Sequence, residues 1–281
     1  MGIQVEKLTH IYQPGTAMES YALRDISFKL EDGSFTGLIG HTGSGKSTLI
    51  QHLNGLVRPS SGTVYFNGED IFAEGYPLKQ LRGKVGLVFQ YPEYQLFEAD
   101  VLSDVMYGPK NMGLTDEQAA ERAKAALALV GVAESLYTHS PFELSGGQKR
   151  RVAIAGVLAM EPEVLILDEP TAGLDPKGRD EILDTVQKLH QKKGITILLV
   201  SHSMEDIASY ADHLLVLDGG ELKFYDTPKH VFGHYLELEK MGLSAPQMTY
   251  LADELRREGF DIDPSIGTVE EAKAAILAAL A

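Results

Sequence analysis

The chain of 281 residues contains no cysteine, which excludes disulfide staples and thiolate-held metals and leaves the redox compartment unmarked. Nor does any run approach the ~20 consecutive apolar residues that a membrane helix needs. The opening residues, Met1 to Glu6, carry neither the basic nor the apolar section of a signal peptide. A soluble cytoplasmic chain is expected. Basic residues are scarce: 25 Lys and Arg against 40 Asp and Glu give a formal net charge of −15. Nonspecific binding to nucleic acid depends on a cationic surface that displaces counterions, so this balance argues against DNA or RNA as a partner. The densest basic run, Lys149-Arg150-Arg151, is expected to be a solvated helix face.

With 44% hydrophobic residues the chain can bury one large α/β domain, or one domain plus a smaller appendage. Apolar alternation predicts strands at Ile3 to Val5 and Ile26 to Leu30, with a turn at Asp32-Gly33. Further strands are expected at Phe35 to Ile39, Thr63 to Phe66 and Val85 to Phe89. From about 100 to 143 the character is helical, and Thr115 with Gln118 forms a capping box that opens a run ending at Gly131. Strands return at Val164 to Leu167 and Ile195 to Val200 with a helix over about 177–192 between them, which implies a parallel sheet. A hairpin turning at Asp218-Gly219-Gly220 closes the core. Beyond Pro228 the chain is helical and acidic: Pro246 suits the first turn of one helix, and Thr268 caps another over Glu270 to Leu280.

Gly40-His41-Thr42-Gly43-Ser44-Gly45-Lys46-Ser47 fits G-x-x-x-x-G-K-[ST] between an expected strand and an expected helix over residues 47–55, whose apolar run begins with Thr48. Its glycines let successive N–H groups converge on phosphate oxygens, and the following helix N-terminus adds partial positive charge. Lys46 reaches β- and γ-phosphates in such a loop, and the Ser47 hydroxyl ligates Mg²⁺. Val164 to Glu169 is an apolar strand ending in two carboxylates, at the sheet edge where α/β proteins bind ligands. Asp168 is expected to hold Mg²⁺ and Glu169 to orient and polarise the attacking water. Gln90 and His202 each follow an expected strand; either serves the strand end structurally, or Gln90 touches Mg²⁺ or the water and His202 donates to a γ-phosphate. Leu144-Ser145-Gly146-Gly147-Gln148 reads both as a capping box and as a helix N-terminus open to an anion.

Taken together these strings resemble the ATP-binding cassette family. Gly40 to Ser47 matches its Walker A loop, Gln90 its Q-loop, Leu165 to Glu169 its Walker B strand, and Leu144 to Gln148 its signature. Ala172-Gly173-Leu174-Asp175 matches its D-loop and His202 its switch histidine. The resemblance implies a P-loop cassette over 1–228: a RecA-like mixed sheet core, an antiparallel β subdomain, and a helical signature subdomain over about 98–160. A small helical C-terminal extension follows over 229–281, as a dimer contact or as a cap on its own domain. It also implies an ATPase whose two cassettes face head to tail, each ATP lying between one phosphate loop and the other cassette's Ser145 string. Tyr12 falls at the family's adenine-stacking aromatic, or else packs at its strand end.

A narrower resemblance, to the A-prime ATPases of energy-coupling factor transporters, rests on Tyr91-Pro92-Glu93-Tyr94-Gln95-Leu96-Phe97, on the His41-Thr42 pair, and on Ser20 to Ser27. It implies a second ATPase subunit, a related A chain or a second copy, docked on a transmembrane T subunit that carries substrate-binding S proteins. The place of work is then the cytoplasmic face of the membrane, and the cargo is a vitamin or a transition-metal ion. A conventional importer ATPase is the nearest alternative. A soluble cassette of repair or translation is more distant, because coiled-coil insertions, zinc cysteines and a second cassette are all lacking.

Overall fold

A computed structural model describes residues 2–280. Its strands and helices come in the order β1 (Ile3–Tyr12), β2 (Ser20–Lys29), β3 (Phe35–Ile39), α1 (Lys46–Leu53), β4 (Ser61–Phe66), β5 (Glu69–Asp70), α2 (Leu78–Lys84), β6 (Val85–Val88), α3 (Val101–Asn111) and α4 (Asp116–Leu129). Then follow α5 (Gly146–Leu158), β7 (Val164–Asp168), α6 (Pro176–Lys193), β8 (Thr196–Val200), α7 (Met204–Tyr210), β9 (His213–Asp218) and β10 (Glu221–Asp226). The last four helices are α8 (Pro228–Gly233), α9 (Tyr235–Lys240), α10 (Gln247–Arg257) and α11 (Val269–Ala279).

Six strands form one sheet in the order β10-β9-β3-β8-β7-β6, and four form another in the order β2-β1-β4-β5. In the larger sheet every pair is parallel except β9 with β10, the terminal hairpin. Such strands are covered on both faces and need apolar residues throughout. In β7, Leu165 and Leu167 join the core beneath α3, α4 and α5, while Val164 and Ile166 join the core shared with the antiparallel sheet. The two cores therefore meet at one sheet, whose C-terminal strand ends carry the polar motifs.

The antiparallel sheet is longer than alternation predicts. Lys7 and Asp25 take left-handed backbone (φ 46° and 49°), and the β1–β2 register shifts between Val5 and Leu8 and again at Leu8/His10 and His10/Ile11. These irregularities break the two-residue period that marks a strand in sequence. All three expected capping boxes form, at Thr115 with Gln118, Ser145 with Gln148 and Thr268 with Glu271. Pro246 sits at the N-cap of α10, one position before its first turn. In the C-terminal region α8 and α9 send Val231, Phe232 and Leu238 into the larger core. Only α10 and α11, with the segment between them, share a separate small cluster of Ala252, Ile262, Ile266 and Ala272. Lys229 ties the two parts, with Nζ 2.6 Å from Asp263.

Candidate nucleotide site

The loop from Gly40 to Ser47 turns directly from β3 into α1. Gly45 is left-handed (φ 104°), and a Cβ there would lie 2.5 Å from the Ala22 carbonyl oxygen. Gly43 is left-handed too (φ 84°), yet a Cβ there would meet nothing within 4 Å, so the loop is open on that side. Lys46 is buried and folds its ammonium back to donate to Gly40 O at 2.6 Å and His41 O at 3.1 Å. Burial lowers its pKa, and the carboxylates of Glu169 and Asp168 partly restore it. The loop tip is pinned by His41, whose Nε2 lies 3.0 Å from Asp218 and whose Nδ1 lies 2.7 Å from Thr42 O.

Opposite the lysine, β7 ends in Asp168. Burial first, and then the neighbouring Glu169 charge, push its pKa up to about 6, with Lys46 and His202 opposing. Glu169 itself has left-handed backbone (φ 49°), a strained choice for a glutamate that aims its side chain away from the strand. Both of its oxygens are held: His202 Nε2 stands 2.8 Å from Oε1, and Gln90 Nε2 donates to Oε2 at 2.8 Å. Two residues that follow β6 and β8, expected separately from the sequence, thus converge on the carboxylate that follows β7. In this arrangement Gln90 and His202 address Glu169.

The structure brings Gln90, Asp168, Glu169 and His202 together with Lys46. Ser47 is exposed on the first turn of α1, and Thr48 bonds its hydroxyl to Tyr12 OH at 3.1 Å. Tyr12 is 44% exposed, and its ring meets the buried His10 ring in a T-shaped contact at 4.6 Å. The polar bonds of Ser145 to Gln148 are local: Ser145 Oγ accepts from Gln148 N, and Gln148 Oε1 accepts from Ser145 N. A Cβ on Gly146 or Gly147 would meet nothing within 4 Å, which leaves that helix N-terminus open. Asp175 caps α6, accepting from Gly178 N at 2.7 Å.

The donor set fits phosphate. Ser44 Oγ is buried without a hydrogen-bond partner, Lys46 has one N–H beyond the two used by loop carbonyls, and Gly43 keeps the approach clear. Among the described residues no group of three or more His, Asp and Glu is arranged to hold a metal. Mg²⁺ is usually bound by only one or two carboxylates plus substrate oxygens and water. Asp168, a buried carboxyl that resists ionisation without a cation, and the Ser47 hydroxyl fit that pattern.

One expectation is overturned. Lys149-Arg150-Arg151 is not a solvated face: Arg150 is 2% exposed and Arg151 pairs with Glu181. Charge density in a sequence does not report a half-buried partner 57 residues away, here Glu93. Sequence reasoning also missed Arg179, which donates to Asp206 and to the Ser203 hydroxyl beside His202.

The ABC transporter family model matches residues 23–172. The energy-coupling factor transporter ATP-binding protein EcfA2 of Caldanaerobacter subterraneus subsp. tengcongensis is 55% identical over 99% of this chain and 97% of its own length. The protein of the same name from Clostridium perfringens is 54% identical over 99% and 98%. Among solved structures, cbiO1 from Clostridium perfringens, part of the ABC transporter complex cbiONQ, superposes with a TM-score of 0.74 at 41% identity, covering 85% of this chain and 93% of its own. The cassette MJ0796, as a post-hydrolysis dimer bound to ADP and Pi, gives 0.72 at 29% identity over 80% and 98%. Among the described residues no helix is long and apolar enough to cross a membrane.

Proposed function

The chain belongs to the ABC transporter family, and from that premise we propose that it is the ATP-hydrolysing subunit of an energy-coupling factor transporter that powers uptake of vitamins or transition-metal ions. The observation that carries this reading is Glu169, held between Gln90 and His202 one residue beyond Asp168 and within electrostatic reach of Lys46.

The backbone N–H groups from Gly40 to Ser47, with Thr42 and Gly43 at the open side, hold the phosphates of ATP. Lys46 swings its ammonium from the loop carbonyls onto the β- and γ-oxygens, exchanging two neutral acceptors for charged ones. The exposed Tyr12 ring stacks the adenine, and Thr48 fixes that ring through its hydroxyl. Ser47, Asp168 and Gln90 would hold Mg²⁺, which when bound neutralises charge shared by the β- and γ-oxygens. Glu169 orients the attacking water and accepts its proton, while His202 steadies the carboxylate and stabilises charge on the γ-phosphate.

Ser145, Gly146, Gly147 and Gln148 serve a nucleotide held by a second cassette, where the open N-terminus of α5 meets the γ-phosphate; Asp175 faces the same partner. The second cassette is a related A chain or another copy. The pair docks on a transmembrane T subunit carrying an S protein, at the cytoplasmic face of the membrane. The test is Glu169→Gln in the complex purified from membranes. ATP affinity should persist while turnover falls ~100-fold or more, the scale of a lost general base. Unchanged hydrolysis would remove Glu169 from the mechanism.

A further inference from the structure

Arg150 has no part in the chemistry above, yet it is among the few charged side chains buried in the protein. It lies on α5, in the second helical turn after Ser145. Its guanidinium takes Glu93 in a bidentate pair, Nε to Oε2 at 3.0 Å and Nη2 to Oε1 at 2.7 Å. Nη1 turns the other way and donates to Pro170 O at 3.3 Å and to Ala172 O. Glu93 belongs to the 3₁₀ turn Pro92–Gln95, three residues after Gln90. Pro170 follows Glu169 directly. The ring of Tyr91, itself left-handed at φ 54°, lies 5.9 Å from the guanidinium carbon.

One planar fork therefore binds three segments: the helix that begins at the Ser145 string, the segment after Gln90, and the turn after Glu169. Burial alone would raise the Glu93 carboxyl, but the bonds and charge of Arg150, together with a backbone N–H, hold it below the usual range. A rigid fork with five donors can span these acceptors at once, which a lysine cannot.

We propose that Arg150, clamped by Glu93, is a positioning residue that sets Glu169 and Gln90 against the Ser145 helix, so that movement of the Tyr91–Phe97 segment is passed to the hydrolytic carboxylate. This rests on the assignment of Glu169 as the hydrolytic carboxylate. Glu93 carries the outer half of the clamp, and removing its charge frees the Gln90 segment while Arg150 keeps its two carbonyls.

The test uses Glu93→Gln and Arg150→Lys in the membrane-purified complex, with Glu169→Gln as reference. Melting temperature and the affinity of the full chain for a non-hydrolysable ATP analogue are followed alongside. For both variants kcat should fall about ten-fold or more, since an ångström-scale misplacement of a catalytic group can cost about 10²-fold. KM and analogue affinity should stay within about two-fold, because the phosphate loop is untouched. A purely structural bridge would instead weaken analogue binding and melting together, with kcat following the fraction folded, and that outcome overturns the proposal. Arg150→Lys risks misfolding by leaving buried carbonyls unpaired; Glu93→Gln keeps the shape but loses the charge and one of the two acceptors that Arg150 uses, and decides the matter alone. If Glu93→Gln leaves kcat unchanged while Glu169→Gln abolishes turnover, the clamp is refuted and the hydrolytic assignment stands. If Glu169→Gln retains turnover, both fall.

Discussion

Gly45 and Gly43 stand two residues apart in one loop, both left-handed, and differ in what surrounds them. At Gly45 an added methyl group would press on the Ala22 carbonyl oxygen at 2.5 Å and on Leu23 Cδ2 at 2.8 Å. The carbonyl is backbone of β2 and gives way only if the antiparallel sheet shifts against the phosphate loop. At Gly43 the methyl group would meet open space. Alanine in left-handed backbone costs about 1–2 kcal/mol at either position. Overpacking adds about 1–3 kcal/mol at Gly45 alone, for a total of about 2–5 kcal/mol. For a chain of this size a kcal/mol is worth roughly 2 °C, so Gly45→Ala should melt roughly 4–10 °C lower and Gly43→Ala roughly 2–4 °C lower. Thermal unfolding followed by circular dichroism, with and without Mg·ATP, measures both. The parent protein should gain melting temperature with Mg·ATP by mass action, and Gly45→Ala should lose most of that gain because its loop can no longer close on the β2 edge. Equal melting temperatures for the two variants would refute the packing argument, and an undiminished ATP shift in Gly45→Ala would refute the loop's role in phosphate binding.

Lys46→Ala should weaken ATP binding about 10- to 100-fold, the worth of a charge-assisted hydrogen bond of about 1.5–3 kcal/mol, read by calorimetric titration; undiminished affinity would remove Lys46 from the site. Asp168 makes a pH prediction of definite sign. Its carboxyl ionises near 3.8 when unfolded and at about 6 when folded, so the folded state holds the proton more tightly. The cost of ionising it is absent below about pH 4, grows up to about pH 6, and is complete above that. Asp168→Asn should therefore raise the melting temperature of the nucleotide-free protein at about pH 7.5 and change it little at about pH 4. A variant that melts lower at neutral pH would show that the carboxylate is not strained by burial.

Much of the parallel sheet was legible because its strands must be apolar on both faces, and short runs such as Val164 to Leu167 announce that directly. Helix caps were equally plain at Thr115, Ser145 and Thr268, since capping is a local bargain between neighbours. The antiparallel sheet was read short because left-handed residues at Lys7 and Asp25 reset the alternation. Helix α2 offers no capping side chain, its N-cap being Pro77, and seven residues are too few for a clear period. At the site, residue types at strand ends revealed Gln90, Glu169 and His202, but not that the first and last would grip the second. Arg150 was illegible for a deeper reason. Its burial depends on an acid supplied by a distant segment, and a basic run looks the same whether its partner is water or Glu93.

The left-handed backbone at Glu169 sets folding against the proposed catalytic role at a single position. A β-strand handing its chain into a left-handed turn is best served by glycine or asparagine, which adopt that geometry with little strain. The side chain proposed to activate the attacking water is thus one the backbone would rather not carry. On that assignment glycine or asparagine at 169 would relax the backbone while ending hydrolysis, so a cassette that grips nucleotide without consuming it is a single codon away. Keeping the motor running demands continual selection for activity, since selection for stability alone would switch it off.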